Sequence, residues 1–214
     1  MIIAIDGTAA SGKGTLGRRL ASALELDYLD TGQLYRAVGF EARARYDDID
    51  GLSEEQARHL AEQLDLSTEY GEAIRTNEVA EAASKMAALP AVRQALLERQ
   101  RLFAHHPPSS KGAILDGRDI GTVVLPDADA KFYVDAAADI RANRRFLELQ
   151  EAGLDTQFSD VLSDIIQRDC RDKNRTVAPL IAAEDAFFID SSDQNADEVV
   201  QIALEHLKSR GLTA

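Results

Sequence analysis

The chain has 214 residues, 45% of them hydrophobic and 29% charged, the make-up of a soluble globular protein able to bury a core. Aspartate and glutamate total 37 against 24 lysines and arginines, and the resulting formal charge of −13 argues against nucleic acid or an anionic membrane as partner. The single cysteine, Cys170, excludes an intramolecular disulfide.

In chain order, residues 2–6 read as a buried strand that runs from Met1 with no basic leader, as expected of a cytoplasmic protein. A glycine-rich loop follows, and Leu16, Leu20 and Leu24 then repeat at helical spacing. Residues 26–30 are a second strand. The next eighty residues are helical in character: Ser53-Glu54-Glu55-Gln56 is a capping box for a helix through Leu64, and Pro90 opens another through His105. Strands at 113–116, 130–134 and 187–190 complete a set of five, with a last helix capped by Asn195 and Glu198 running through Lys208.

Strands alternating with helices predict a three-layer α/β fold around a parallel five-stranded sheet, ordered 2-3-1-4-5. One domain is expected to fill 1–214, its core formed by 1–31, 111–147 and 161–214. The long gap after the second strand predicts a helical segment over 32–110. The polar stretch around Gly153 predicts a mobile lid over 148–160.

Gly7-Thr8-Ala9-Ala10-Ser11-Gly12-Lys13-Gly14-Thr15 leaves a strand and enters a helix, the context of a phosphate-binding P-loop. Glycines let backbone N–H groups wrap the phosphates of ATP, the helix adds its positive dipole end, and Lys13 adds a cation. The general pattern has serine or threonine after the lysine. Here that residue is Gly14, which leaves Thr15 as the nearby hydroxyl for Mg²⁺.

A GTPase switch would need Asn-Lys-x-Asp, which is missing; its Asp-x-x-Gly occurs once, at Asp48-Ile49-Asp50-Gly51, in a turn rather than after a strand. Arginines instead collect near predicted strand ends and around the lid: Arg36, Arg118, Arg168, Arg171 and Arg175. Transfer between two anionic nucleotides crowds negative charge, and guanidinium forks neutralise it and align donor with acceptor. Arg141 and Arg145, one turn apart, are placed to face ATP.

Six blocks carry a family resemblance. They are Ile5-Asp6-Gly7 with Gly12-Lys13-Gly14-Thr15; Leu29-Asp30-Thr31-Gly32 with Tyr35-Arg36; Ile74-Arg75-Thr76 with Glu78-Val79; Ala83-Ser84 with Pro90 and Val92-Arg93; Asp116-Gly117-Arg118-Asp119-Ile120-Gly121-Thr122-Val123-Val124; and Arg168-Asp169, Arg171-Asp172 and Asn174-Arg175. Through them the chain resembles bacterial cytidylate kinases over nearly its whole length. The resemblance implies ATP-dependent phosphorylation of CMP and dCMP with Mg²⁺, by a monomer, with a kinase for UMP or AMP as the alternative. It assigns Thr31, Arg36, Arg118 and Arg175 to the CMP phosphate, Ser84, Arg93 and Asp119 to cytosine, and Arg168 and Asp172 to the ribose. Lys13, Arg118, Arg168 and Arg175 would stabilise the transferring group. Many relatives carry an insert, with a small sheet, where this chain has only residues 64–73.

Overall fold

The structure, a computed structural model, describes residues 1–64 and 70–212. Five strands, β1 (Ile2–Gly7), β2 (Asp27–Asp30), β3 (Ala113–Gly117), β4 (Ala130–Asp135) and β5 (Phe187–Asp190), form one sheet in the order β2-β3-β1-β4-β5. All four pairings are parallel. A parallel strand is covered on both faces, so its sequence is apolar without alternation. The central strand shows this, since Ile3, Ala4 and Ile5 are all fully buried.

Among the described residues eight α-helices accompany the sheet: α1 (Lys13–Leu24), α2 (Thr31–Arg45), α3 (Glu54–Glu62), α4 (Asn77–Met86), α5 (Pro90–His105), α6 (Ala138–Glu151), α7 (Phe158–Lys173) and α8 (Ala196–Ser209). On one face Leu16 and Leu20 of α1 meet Ala203 and Leu207 of α8 over Ile3, Ile5 and Phe132. On the other, Ala104 of α5 and Ile120 pack on Ala4 and Leu115. Helices α2 to α5 hold an apolar cluster of their own, including Leu34, Val38, Leu60, Met86, Val92 and Leu96.

The predicted caps form. Ser53 and Gln56 exchange both bonds of a capping box, as do Asn195 and Glu198, and Pro90 occupies the first turn of α5. The Asp48 carboxylate accepts from Asp50 N at 2.9 Å, the turn expected there.

Several strand ends and the end of the last helix shift by one residue, and two differences are larger. Helix α3 stops at Glu62 rather than Leu64. Residues 148–160, read as a polar stretch, are the tip of a helical hairpin, since α6 runs to Glu151 and α7 begins at Phe158. The two helices bury a stripe of Ala142, Leu149, Val161 and Ile165 against each other, with Phe146 and Leu162 packed partly buried beside it. Residues 65–69, within the short segment that replaces the insert, lie outside the described residues. Among the described residues no helix is long and apolar enough to cross a membrane.

Candidate active site

Strands β1 and β3 finish in register, Asp6 opposite Gly117, so the phosphate loop and the Arg118–Asp119 turn emerge side by side at the carboxyl edge of the sheet. Ligands of open parallel sheets bind at such an edge. Gly7 has no alternative, because a Cβ there would lie 2.0 Å from the Val134 carbonyl oxygen. Gly12, at φ 87°, turns the loop into α1 in a conformation that favours glycine.

The loop is braced from behind. Thr8 Oγ1 donates to Asp135 at 2.5 Å, Ser11 Oγ to the Thr8 carbonyl at 3.0 Å, and Ser191 Oγ to the Ser11 carbonyl at 2.8 Å. Thr8 and Ser11 are therefore buried scaffold, and the loop's capacity for phosphate rests on its backbone. Gly12 provides no side-chain cap and the first turn of α1 holds no acid, which leaves the helix N-terminus open to an anion.

Arg141 sits beneath this loop, not at the ATP side where its spacing from Arg145 suggested. It is 3% exposed and donates to the Ala136 carbonyl (2.8 Å), the Ala9 carbonyl (3.2 Å) and both oxygens of Asp169 (3.1 and 2.6 Å). A buried guanidinium has to satisfy its donors, and here the backbone and Asp169 do so. Arg145 is half-buried and donates to Glu148 (3.2 Å), the Arg75 carbonyl (3.4 Å) and Asn77 (3.2 Å), facing a wider cleft of about 530 Å³ between α4 and the α6–α7 hairpin.

In front of the loop lies a cleft of about 190 Å³. It is lined by Ala9, Ala10 and Lys13 of the loop, Thr31 and Arg36 of α2, Ser84 of α4, Arg118 and Asp119 after β3, and Arg168, Asp172 and Arg175 at the end of α7. All the residues expected to meet CMP line it except Arg93, which reaches it through Asp119. Gly7, Thr8, Ser11, Gly12, Gly14 and Thr15 lie outside this lining, and Thr15 is half-buried in the first turn of α1.

Carboxylates order these cations. Arg93 and Asp119 form a buried ion pair, and Arg93 also donates to the Ala87 carbonyl at 3.3 Å. Arg118 Nε donates to Asp172 at 2.9 Å, and Arg168 lies 3.9 Å from the same carboxylate. Burial works against the Asp172 charge, but Arg118 and Arg168 hold its carboxyl below the usual range. Thr31 Oγ1 donates to the Asp116 carbonyl at 2.7 Å, and Ser84 Oγ accepts from Arg171 at 3.4 Å.

Some donors in the cleft have no hydrogen-bond partner. Nε of Arg168, and Nε and Nη2 of Arg175, are buried without one among the described residues. Unpaired buried donors are costly, and an anionic ligand would relieve that cost. Burial, followed by the Arg118 charge, brings Arg168 down to about 9.

Burial and then the Arg118 guanidinium push the Lys13 ammonium down to about 8. A bound polyphosphate favours the charged lysine and raises its pKa, so ATP binding near pH 8 should take up a fraction of a proton. Calorimetry in buffers of different ionisation enthalpy reads that uptake directly. It should fade at pH 6.5, where the free lysine is already charged, and be lost in Lys13→Met.

Reading the sequence alone missed Tyr28, Asp6 and Asp116. The Asp6 carboxylate accepts from the amides of Ile120 and Gly121, both at 2.7 Å, which ties β1 to the turn after Asp119. Asp116 accepts from the Tyr28 hydroxyl at 2.5 Å beside Lys13. Burial near that carboxylate pushes the Tyr28 phenol up, so it remains a donor. Asp116 carried a usable signal, since a carboxylate ending an apolar strand next to a phosphate loop is a recurrent feature of P-loop proteins.

A family model described as cytidylate kinase matches residues 3–209. The chain belongs to the cytidylate kinase family. It is 53% identical over 211 residues to a protein named cytidylate kinase from Paramagnetospirillum magneticum, covering 98% of each chain. A protein of the same name from Klebsiella pneumoniae is 46% identical over 224 residues, covering 98% of this chain and 96% of that one. A crystal structure of a protein from Eubacterium ventriosum shares the fold at 13% identity, with a TM-score of 0.52 over 98% of this chain and 99% of that one.

Proposed function

We propose that the protein transfers the γ-phosphoryl group of ATP to CMP, and to dCMP, giving ADP and the cytidine diphosphate. Membership of the family makes it an enzyme of the nucleoside monophosphate kinase class. The observation that carries the substrate reading is the pairing of buried guanidinium nitrogens of Arg168 and Arg175 that lack a hydrogen bond with the Arg93–Asp119 pair in one cleft before a phosphate loop. The first suits a phosphate ester and the second a base edge.

ATP phosphates sit on the loop amides from Gly7 to Thr15, with Lys13 placing a cation by the β and γ oxygens. Thr31, Arg36, Arg118 and Arg175 hold the CMP phosphate. Arg168 and Asp172 meet the ribose, where a carboxylate suits hydroxyl donors. Cytosine offers an amino donor beside two acceptors, and Asp119 answers the donor while Arg93 and Ser84 answer the acceptors. Lys13, Arg118, Arg168 and Arg175 offset the charge spread over the transferring phosphoryl group. The acceptor is already an anion, so the chain need supply no general base. Arg141 serves from below by holding the Ala9 carbonyl, and the hairpin tip at 148–160 closes over the nucleotides to exclude water.

Mg²⁺ needs few protein oxygens because substrate phosphates and water complete its shell. The hard hydroxyl oxygen of Thr15, in the first turn of α1, and the Asp116 carboxylate fit that requirement. When bound, the ion would neutralise charge on the phosphates. The protein is expected to act as a monomer in the cytoplasm.

A coupled ADP-release assay across CMP, dCMP, UMP, AMP and GMP tests the substrate. The expected order puts CMP and dCMP first, UMP well behind, and the purines at background. A preference for AMP or GMP would refute the assignment of Asp119 and Arg93 to cytosine.

A further inference from the structure

Position 14 carries glycine where most phosphate loops place a serine or threonine hydroxyl directly after the lysine. Gly14 has an ordinary backbone conformation, so neither a turn nor a positive φ requires glycine there. What occupies the neighbouring space is Tyr28. A Cβ on Gly14 would lie 3.5 Å from the Tyr28 hydroxyl and 3.3 Å from Asp116 Oδ2. One turn on, a Cβ at Gly17 would lie 2.6 Å from the Tyr28 ring, too close to coexist with it. Two glycines in the opening turns of a helix cost it stability relative to alanine. Here they form a seat through which a β2 side chain reaches the phosphate loop. Arg18, 6.0 Å from the ring centroid, covers the tyrosine.

We infer that Tyr28 is a positioning residue for phosphoryl transfer: its hydroxyl occupies the space that Gly14 leaves open and orients the Asp116 carboxylate beside Lys13. The hydroxyl donates to Asp116 Oδ2, the oxygen that a residue-14 side chain would meet. Tyr28 and Asp116 are 88 apart in sequence and meet through the pairing of β2 with β3, while Gly14 leaves the space beside both open. Tyr28 is outside the cleft lining, which limits it to acting through Asp116.

The inference rests on the kinase reading, and the test separates the two. Parent enzyme, Tyr28→Phe, Gly14→Ser and the double variant are compared for kcat, KM for CMP and thermal midpoint. Phenylalanine keeps the ring over Gly17 and removes only the hydroxyl. Tyr28→Phe should lower kcat at least about tenfold, the scale of one hydrogen bond to a charged group, with KM for CMP within about twofold and the thermal midpoint within a few degrees. In the double variant the serine hydroxyl has the vacated space beside Asp116, and most of the lost kcat should return. Gly14→Ser alone competes with Tyr28 for one carboxylate oxygen and should give no gain. An unchanged kcat in Tyr28→Phe overturns the inference. So does a loss that Gly14→Ser fails to restore, because Tyr28 would then serve packing alone. A parent enzyme inactive on CMP refutes the kinase reading instead, and is seen before any variant is compared.

Discussion

Lys13→Ala should lower the turnover of CMP phosphorylation by about a hundredfold or more, the usual scale for removing a preorganised charge from a developing anion. Lys13 lines the cleft from the start of α1, beside Arg118 and Asp116. In the proposed reaction its charge meets the phosphates of ATP, and the CMP groups are held from α2, α4, α7 and the turn after β3. CMP affinity measured by calorimetry should therefore change little while kcat collapses. The fold should survive, since burial already disfavours the lysine charge in the free protein. Turnover within about threefold of the parent would remove the loop from the reaction.

Asp119→Ala should be the most damaging change to base selection. The carboxylate is 4% exposed and paired with Arg93, so its removal leaves a buried guanidinium facing a void. Breaking a buried pair on one side costs about 3–5 kcal/mol of stability, which a thermal scan should register. That loss alone cannot distinguish a scaffold from a reader of cytosine. The ratio of CMP to UMP activity can. UMP carries a carbonyl where CMP has its amino group, so it gains nothing from an acceptor at 119. The CMP specificity constant should fall about tenfold to a hundredfold, UMP should fall less, and the preference should narrow. Arg36→Ala, at a shared phosphate contact, should depress both alike. Equal losses in Asp119→Ala would move base reading to Ser84 and Arg93.

These effects concern residues of unequal legibility in the sequence. The phosphate loop could be read whole because its parts are contiguous: a strand, glycines, a lysine and a helix within fifteen residues. The five strands were equally plain, because a strand buried on both faces is a short apolar run that ends abruptly. The hairpin of α6 and α7 was not, since the polar residues and Gly153 between Glu151 and Phe158 mask where one helix ends and the next begins.

Pairings across the site leave no local record. Arg93 meets Asp119 over 26 residues, Arg118 meets Asp172 over 54, and Tyr28 meets Asp116 over 88. The pairing of β2 with β3 brings the last two together, and the packing of α5 and α7 at the same edge brings the others. Arg141 shows the same limit from the opposite side. Its spacing from Arg145 suggested a shared outlook, yet one guanidinium is buried under Ala9, 132 residues away, and the other faces a cleft. Helical spacing fixes which residues share a face, and tertiary contacts then decide what that face meets.

The most direct test of the account follows the phosphorus itself. Phosphorus NMR of the enzyme with ATP, Mg²⁺ and CMP resolves each product. CDP and ADP should appear in equal amounts, with no release of inorganic phosphate, as expected if CMP is held in the cleft and the hairpin tip closes to exclude water. ADP accompanied by inorganic phosphate, with CMP unconsumed, would contradict it and leave a nucleotide hydrolase in its place.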